Sequence, residues 1–485
     1  MKWSPFQEAV FEFVENGEGN AIVEAVAGSG KTTTIVEALR RIEFVVPDTL
    51  FLAFNKSIAE ELKSRGVNAR TFHSLTYGPV TKHLGIRSVD SNKTKKILNS
   101  MIPFNDVKMY GAFVGRLVSL AKQMGIGCLC DDIEEEWYAI IERHDLSLES
   151  EKASLSKAVE LSREVFEVGN NEPSADFDDL LYLAVKDGIS LPKFDFVFVD
   201  EAQDTNAIQR AILRKAMTSD ARMVAVGDPA QAIYGFRGSD SNSLNLIGEE
   251  FKCQRLPLTV SYRCPQNVVA HAQQWVDHIQ AFEGAPQGEV IRMNKWKTTD
   301  ILAGDMVVCR TVKPIIALAY KMMKNKGVAP YVLGRDIGVS MKALIRKMNA
   351  YDVDGLILRL DDWRAREVEQ ALVRIQDSKI QAIEDKYEAI MCLIDGMEEG
   401  EELTIDWLLQ IIDDLFSEKG NSAMLCTIHK AKGLESERVF WMNSKKMPPP
   451  WAKLEWQREQ EYNLCYVATT RAKETLILIE EEGAK

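Results

Sequence analysis

Short apolar runs alternate with segments of helical periodicity in the first half of the chain. Four such runs predict buried strands, at residues 20–25, 50–54, 194–199 and 222–226. Helices are predicted at about 32–41 and 57–65, directly after the first two runs. Because strands that alternate with helices form parallel sheets, this half of the chain predicts an α/β lobe.

A second α/β pattern begins near Leu256. Its strands are predicted at residues 290–292, 306–309, 439–442 and 475–479. Long helical segments interrupt both patterns, so the chain predicts two α/β lobes that each carry a helical insertion. The predicted boundaries are 1–81 with 171–252 for the first lobe, 82–170 for its insertion, 253–339 with 419–485 for the second lobe, and 340–418 for its small, partly acidic insertion.

Length and composition agree with several domains of an ordinary globular protein. The chain has 485 residues, of which 46% are hydrophobic and 27% are charged. No apolar run approaches the roughly 20 residues that span a bilayer, and the N-terminal residues lack a signal-peptide pattern. We therefore expect no membrane association and a cytoplasmic location.

The net charge of −13 is unusual for a protein that binds nucleic acid. The acidic residues are unevenly distributed, because the segment 384–418 holds twelve acidic residues and one basic residue, Lys386. Binding depends on the local potential and not on the net charge. The acidic segment is therefore not expected to lie along DNA. The eight dispersed cysteines, including Cys128 and Cys130, predict reduced thiols and not a metal site.

The segment Ala25–Thr32, Ala-Val-Ala-Gly-Ser-Gly-Lys-Thr, fits the phosphate-loop pattern, with alanine at its first position where the general pattern has glycine. The segment lies between a predicted strand and a predicted helix, as a phosphate loop requires. Backbone N–H groups and the helix N-terminus can hold phosphates, Lys31 adds a positive charge, and the Thr32 hydroxyl can bind Mg²⁺. The loop predicts binding of ATP with Mg²⁺.

Two carboxylates follow a later apolar strand. Asp200 and Glu201 come directly after the run at 194–199, at the end of a strand where ligands of α/β sheets bind. Asp200 is suited to hold Mg²⁺, and Glu201 to accept a proton from an attacking water.

Asp-Glu-Ala-Gln-Asp-Thr-Asn at 200–206 resembles the second motif of the UvrD/Rep family of superfamily 1 DNA helicases. Other segments resemble further motifs of that family, in the same order along the chain. They are 3–7, 54–56, 71–74, 176–181, 227–238, 261–263, 427–435 and 466–473. The resemblance covers positions 3–473, and it implies two RecA-like P-loop NTPase lobes with parallel sheets.

The resemblance also implies roles for individual residues. The predicted catalytic residues are Lys31, Asp200, Glu201, Gln231, Arg263 and Arg471. The predicted nucleotide contacts are Gln7, Ala27, Gly28, Ser29, Gly30, Lys31, Thr32, Thr33, Tyr262, Arg263, Glu435 and Arg471, with Thr32 and Asp200 as metal ligands. Among them, Gln231 is expected to sense the γ-phosphate, Tyr262 to stack on adenine, and the two arginines to stabilise charge in the transition state.

Single-stranded DNA is the polymer that the resemblance implies. The predicted DNA contacts are Phe54, Asn55, Thr71, His73, Tyr234, Phe236, Arg237, His429 and Lys430. Aromatic side chains can stack on bases without reading sequence. For each aromatic residue taken singly, packing in the core is an equally good interpretation. Phe236 stands where many relatives have tryptophan.

The resulting hypothesis is an ATP-dependent helicase or translocase that moves 3′→5′ on single-stranded DNA, the polarity being implied by the family alone. Expected partners are single strands, single-strand/duplex junctions and replication or recombination proteins, with a monomer in solution. The small insertion and the motifs at 53–57 and 71–75 resemble the F-box DNA helicase branch and small phage-encoded relatives. For a phage-encoded protein, the resemblance implies a location in the nucleoid or the host cytoplasm.

Two alternatives stay open at this point. One is a translocase that removes proteins such as recombinase filaments from single strands, with weak unwinding. The other is a nucleotide-switched DNA-binding scaffold, which is disfavoured because Glu201, Gln231, Arg263 and Arg471 occur together. RNA is not excluded as a substrate. A helicase–nuclease is disfavoured because only twelve residues follow Lys473.

Overall fold

The structure is a computed structural model. It describes residues 3–42, 48–53, 55–64, 66–144, 146, 148, 153–233, 242–325, 327–373, 377–396, 404–417 and 420–480. The chain divides into two compact units. The first comprises Met1–Ala25 and Gly30–Thr259, and the second comprises Val26–Ser29 and Val260–Lys485.

The first unit is built around strands that alternate with helices. Its strands are β1 Asn20–Ala25, β2 Thr49–Leu52, β3 Ala69–Arg70, β4 Phe194–Val199, β5 Met217–Gly227 and β6 Cys253–Leu258. Its helices are α1 Pro5–Asn16, α2 Lys31–Ile42, α3 Lys56–Ser64, α4 Phe72–Leu84, α5 Lys93–Met101, α6 Phe104–Met124, α7 Glu134–Arg143, α8 Leu155–Asn171, α9 Phe177–Lys186, α10 Ala207–Ala216 and α11 Ser243–Glu250.

The six strands form one parallel sheet in the order β3-β2-β4-β5-β1-β6. The central strands are nearly continuous apolar runs because both of their faces are covered. Val23 and Phe51 face one hydrophobic cluster, whereas Ile22 and Leu50 face another on the opposite side. This arrangement brings the carboxyl ends of β4, β5 and β1 side by side at one edge of the sheet.

Helices α5 to α8 lie between β3 and β4 in the chain and form the insertion of the first unit. Trp137 of α7 and Phe166 of α8 pack edge to face with ring centroids 5.3 Å apart, and Phe166 also meets Tyr182 of α9. The insertion therefore shares its core with α9, which leads back into the sheet through β4.

Buried charges join the insertion to α9. The carboxylate of Asp179, which is fully buried, lies 2.7 Å from the ammonium of Lys93 and 2.7 Å from that of Lys122. Lys93 also donates to the carbonyls of Gly169 and Ser174. Burial by itself would lower the pKa of Lys122, but Asp179 and Asp176 outweigh burial and raise it.

The second unit repeats the same plan. Its strands are β7 Val260–Ser261, β8 Gln280–Ala281, β9 Glu289–Met293, β10 Met306–Cys309, β11 Ala329–Val332, β12 Ser422–Thr427, β13 Ser436–Met442 and β14 Ala472–Ile479. Its helices are α12 Gln266–Ala272, α13 Lys313–Lys324, α14 Arg335–Met348, α15 Val353–Val373, α16 Asp377–Asp395, α17 Ile405–Leu415, α18 Ile428–Ala431 and α19 Glu455–Thr469.

Six of these strands form a second parallel sheet in the order β11-β12-β10-β13-β14-β9, and β7 pairs with β8 apart from it. Helices α14 to α17 form the insertion of this unit. Asp385 of α16 accepts hydrogen bonds from the backbone N–H groups of Val312 (2.7 Å) and Lys313 (2.8 Å), so the insertion caps the start of α13.

The predicted fold class, α/β with parallel sheets, is confirmed by the two six-stranded sheets. Within the described part of the chain, no helix combines the length and the apolar character that crossing a lipid bilayer requires.

The buried charges predict a large effect of removing Asp179. In Asp179→Ala, two buried ammonium groups lose a shared partner, and we expect the free energy of unfolding to fall by about 3–5 kcal/mol. Urea denaturation followed by circular dichroism measures this loss. Glu160→Ala is the matched control, because Glu160 pairs with Lys157 at an exposed site on α8 and its removal should change stability little. Equal stability of Asp179→Ala and Glu160→Ala would contradict the stabilising role of Asp179.

Candidate active site

Three loops with charged or polar side chains meet at the carboxyl edge of the first sheet. Asp200 and Glu201 follow β4, Asp228 follows β5, and the loop after β1 leads into α2 at Lys31. The three strands are neighbours in the sheet, so their carboxyl ends lie together. Ligands of parallel sheets bind at this edge.

Lys31 is the central cation of this site. Its ammonium lies 3.1 Å from a carboxylate oxygen of Glu201, and its side chain is 13% exposed. Burial would lower the pKa of Lys31, but the carboxylates of Glu201, Asp228 and Asp200 outweigh burial and hold the pKa above its ordinary value. Lys31 is therefore a fixed positive charge at the first residue of a helix.

Glu201 has an unusual backbone for its residue type. Its φ of 50° and ψ of 42° lie in the left-handed region, which costs energy for a residue with a side chain. Its N–H donates to the Asp200 carboxylate at 3.0 Å, and the Asp200 N–H donates to the Leu52 carbonyl at 3.0 Å. The turn after β4 thus fixes both acidic side chains beside Lys31.

Asp228 and Gln231 form the third part of this edge. The Gln231 amide donates to the Asp228 carboxylate at 2.7 Å, and the N–H of Ala230 donates to its other oxygen at 3.1 Å. Burial raises the pKa of Asp228, although Lys31 partly opposes this effect. Gln231 is buried, and its side chain is oriented by this contact.

The residues around Lys31 fit a phosphate group and its metal ion. Gly28 and Gly30 have φ values of 72° and 77°, a conformation that glycine adopts without strain. The Ser29 hydroxyl is buried and makes no hydrogen bond within the described residues. It can therefore bond a ligand oxygen. Thr32 and Thr33, at the start of α2, are exposed. A hydroxyl and a carboxylate, Thr32 and Asp200, are oxygen donors of the kind that Mg²⁺ prefers.

Gln7 lies against the same loop. Its side-chain amide donates to the Thr34 hydroxyl at 3.0 Å and its oxygen accepts from the Ser4 N–H at 3.0 Å, in the capping box of α1. A Cβ atom at Gly30 would lie 3.5 Å from the Gln7 amide nitrogen. The predicted contact of Gln7 with adenine stays a prediction.

The second unit holds the predicted nucleotide contacts Tyr262, Arg263 and Glu435. Tyr262 is 41% exposed, and its ring lies 5.5 Å from that of Phe282. The Arg263 Nε lies 2.6 Å from a Glu435 oxygen, as an ion pair outside hydrogen-bond geometry. The other Glu435 oxygen lies 2.7 Å from the Lys473 ammonium. Partial burial would raise the pKa of Glu435, but Lys473 and Arg263 hold it below its usual value.

Arg471 is buried, with 1% of its surface exposed. Its guanidinium donates to the carbonyls of Val467 (2.9 Å) and Leu434 (3.1 Å) and to the Thr470 hydroxyl (3.0 Å). In the described structure these bonds tie the end of α19 to the segment before β13. The predicted phosphate contact of Arg471 stays a prediction.

Two predicted DNA contacts of the first unit lie at helix N-termini. The Asn55 side chain accepts from the Ile58 N–H at 2.9 Å, and the Thr71 hydroxyl accepts from the Ser74 N–H at 3.1 Å. They precede α3 and α4, which start after the neighbouring strands β2 and β3. Helix N-termini attract phosphate groups, so this edge is suited to a nucleic-acid backbone.

His73 and Phe177 form an aromatic pair near these helices. Their ring centroids are 6.2 Å apart, and Phe177 is 55% exposed. Burial lowers the pKa of His73, and Asp178 only partly opposes this effect. The imidazole is therefore neutral near pH 7 and is suited to stacking or hydrogen bonding more than to pairing with phosphate charge.

In the second unit, His429 and Lys430 lie on the short helix α18. The Lys430 ammonium contacts both oxygens of Asp336 on α14, at 2.9 and 3.0 Å. The remaining predicted DNA contacts, Phe54, Tyr234, Phe236 and Arg237, lie outside the described residues.

Comparisons with known proteins identify the family. The profile described as UvrD/REP helicase N-terminal domain matches residues 5–252, just over half of the chain. The chain belongs to the UvrD/REP helicase family. The predicted resemblance is thereby confirmed, and the phosphate loop and the acidic turn after β4 both lie within the matched residues.

Named relatives extend the match beyond the first unit. The chain is 24% identical to F-box DNA helicase 1 of Gallus gallus, over 96% of this chain and 48% of that protein. It is 22% identical to a probable DNA helicase II homolog of Mycoplasma pneumoniae, over 96% of this chain and 82% of that protein. It is 26% identical to ATP-dependent DNA helicase PcrA of Leuconostoc citreum, over 55% of this chain and 38% of that protein. The chain thus spans about half the length of several of the curated relatives that it matches.

Sequence reasoning overlooked some residues of this UvrD/REP site. Gln203 and Asp228 bond to Glu201 and Gln231, although no role was predicted for them. Phe177 and Phe282 were likewise not singled out. Gln203, Asp228 and Phe177 lie inside the helicase motifs at 200–206, 227–238 and 176–181, so their positions in those motifs were an available signal. No comparable signal marks Phe282.

The buried guanidinium of Arg471 predicts a structural effect in addition to any effect on turnover. In Arg471→Ala, three hydrogen bonds are lost and two carbonyls are left buried, so we expect the free energy of unfolding to fall by about 3 kcal/mol. Urea denaturation measures it. Arg292→Ala is the control, since its side chain is mostly exposed and the loss of its ion pair with Glu480 should cost less than about 1 kcal/mol. An Arg471→Ala protein as stable as the parent would refute this role.

Proposed function

We propose that the chain is an ATP-dependent DNA helicase or translocase that moves 3′→5′ on single-stranded DNA. The observation that carries this proposal is the ion pair of Lys31 and Glu201 beside Asp200, at the sheet edge where three helicase motifs meet. The relatives named DNA helicases support it, although about half of the length of several of them lies outside the match.

The proposed nucleotide chemistry starts from charges that are already in place. Lys31 binds the outer phosphates as a point charge, and the backbone N–H groups at the start of α2 add hydrogen bonds. Thr32 and Asp200 would hold Mg²⁺, which when bound would neutralise charge on the phosphates. Glu201 orients the attacking water and accepts its proton, and Gln231 is proposed to contact the γ-phosphate.

In the second unit, Tyr262 is the proposed adenine contact. Its ring is exposed and is supported from one side by Phe282, which suits stacking on a base. Arg263 is the proposed phosphate contact, and its guanidinium pairs with Glu435, whose other oxygen pairs with Lys473. Arg471 is proposed to reach the phosphates only if its hydrogen bonds to Val467 and Leu434 are exchanged.

Nucleic-acid binding is proposed at the helix N-termini near Asn55 and Thr71, with Phe177 and His73 as aromatic neighbours. In the second unit, His429 and Lys430 are the proposed contacts. Because Asp336 already neutralises Lys430, a DNA phosphate has to compete with a carboxylate there. Binding through such contacts does not read base sequence.

A translocase that mainly removes bound proteins is a second candidate. The acidic helices of the second insertion favour it, because carboxylates repel a duplex. Two of these carboxylates already have partners within the unit. Asp385 on α16 accepts from the backbone at the start of α13, and Asp413 on α17 pairs with Lys342. Strong translocation with negligible unwinding by the monomer would support this candidate over the helicase.

The first of two predictions for the proposed function tests the nucleotide site. Lys31→Ala removes the central cation, and we expect the rate of ATP hydrolysis stimulated by single-stranded DNA to fall by about a hundredfold or more. A phosphate-release assay measures it. Lys157→Ala, on the exposed face of α8, is the matched control and should hydrolyse ATP like the parent. Normal ATP hydrolysis by Lys31→Ala would refute the assignment of Lys31 to the nucleotide site.

The second prediction tests substrate and direction. Duplexes with a 3′ or a 5′ single-stranded tail, and the same tails made of RNA, are compared in unwinding and ATPase assays. We expect unwinding from the 3′ DNA tail and at least tenfold weaker stimulation by RNA. Unwinding from 5′ tails alone would disprove the polarity, and equal stimulation by RNA would disprove the preference for DNA.

A further inference from the structure

The side-chain amide of Gln203 is buried, and both its nitrogen and its oxygen form hydrogen bonds. Its side chain is 1% exposed and belongs to the turn of 3-10 helix, Ala202–Asp204, that follows Glu201. The amide nitrogen donates to a carboxylate oxygen of Glu201. The amide oxygen accepts from the N–H of Asp228 at 3.1 Å. Gln203 thus joins the turn after β4 to the turn after β5.

The orientation of this amide follows from its partners. The backbone N–H of Asp228 can only donate, so the oxygen of Gln203 has to face it. The nitrogen then faces Glu201, and it needs an acceptor there. An ionised carboxylate is an acceptor only. The orientation of the Gln203 amide is therefore set at both of its ends.

Gly227 leaves the space that this arrangement needs. A Cβ atom at position 227 would overlap the amide oxygen of Gln203 and would lie 3.1 Å from the Gln203 backbone nitrogen. The end of β5 and the buried amide are therefore in close contact. Such packing fixes the side chain and leaves it few alternative rotamers.

The two carboxylate oxygens of Glu201 have partners of different kinds. One oxygen lies 3.1 Å from the Lys31 ammonium, and the other accepts from Gln203. If Lys31 is drawn to phosphate, the amide of Gln203 still holds the other oxygen of the carboxylate.

We infer that Gln203 is a positioning residue that holds the Glu201 carboxylate in place for proton transfer and links it to the Asp228–Gln231 turn. This inference rests on the proposed function, because it assigns Glu201 as the base in ATP hydrolysis. Gln203 acts through Glu201 and does not itself contact the reacting atoms. The turn after β4 places Glu201 beside Lys31, and the Gln203 amide adds a contact to the carboxylate itself.

The test compares Gln203→Ala with the parent in steady-state ATP hydrolysis with saturating single-stranded DNA. We expect kcat to fall by about tenfold to a hundredfold, because misplaced general bases lose much of their effect. The KM for ATP should change by less than about twofold. Gln254→Ala is the matched control, because Gln254 lies exposed on β6 of the same sheet and its variant should behave like the parent.

A double-mutant cycle separates positioning from a general structural role. In a Glu201→Gln background, Gln203→Ala should change the residual kcat by less than about twofold, since the group that it positions is already gone. An equal loss of kcat in both backgrounds would overturn the inference. A kcat for Gln203→Ala equal to that of the parent would overturn it as well.

Gln203→Met guards against misfolding of the alanine variant. It fills a similar volume without adding a charge and loses the donor to Glu201, so we expect the same loss of kcat with a higher thermal midpoint than that of Gln203→Ala. Normal turnover by Gln203→Met contradicts the inference. The proposed function fails separately if the parent protein itself shows no DNA-stimulated hydrolysis, and in that case the inference fails with it.

Discussion

A lysine ammonium is stable in a largely buried position only when anionic groups surround it, and Lys31 meets this constraint at the edge of the first sheet. Its carboxylate neighbours come from the ends of two other strands, β4 and β5. The parallel order β4-β5-β1 is what brings them together. The cation at the start of α2 thus depends on the sheet topology, and the proposed nucleotide chemistry depends on the cation.

The same constraint organises the base of the first insertion. Lys93 and Lys122 are buried, and Asp179 compensates both of them from α9. Asp179 also belongs to the capping box of α9, with Asp176. Phe177 and Asp178 lie between these two residues in the chain. The buried charges therefore fix the start of α9 and, with it, the aromatic pair of Phe177 and His73 that is proposed to meet DNA.

The second unit shows a different use of charge. Several side chains that the motifs assign to ligands are engaged within the unit: Glu435 with Lys473 and Arg263, Lys430 with Asp336, and Arg471 with backbone carbonyls. A phosphate that binds to one of these cationic side chains has to replace its present carboxylate or carbonyl partner. Such exchange lowers the net gain in binding energy, but it keeps the cations oriented without a ligand.

Local patterns in the sequence determined much of the fold. The apolar runs located β1, β4, β10 and β14, because strands covered on both faces are continuously apolar. The phosphate loop predicted nucleotide binding, and the ordered motifs that begin with Asp-Glu-Ala-Gln-Asp-Thr-Asn at 200–206 indicated the family that the comparisons confirm. The tertiary structure alone decided which side chains meet: the bond of Gln203 to both Glu201 and Asp228, the burial of Arg471, and the pairing of Lys430 with Asp336. These contacts join residues from separate strands and helices, and their geometry follows from sheet order and packing, which no local pattern encodes.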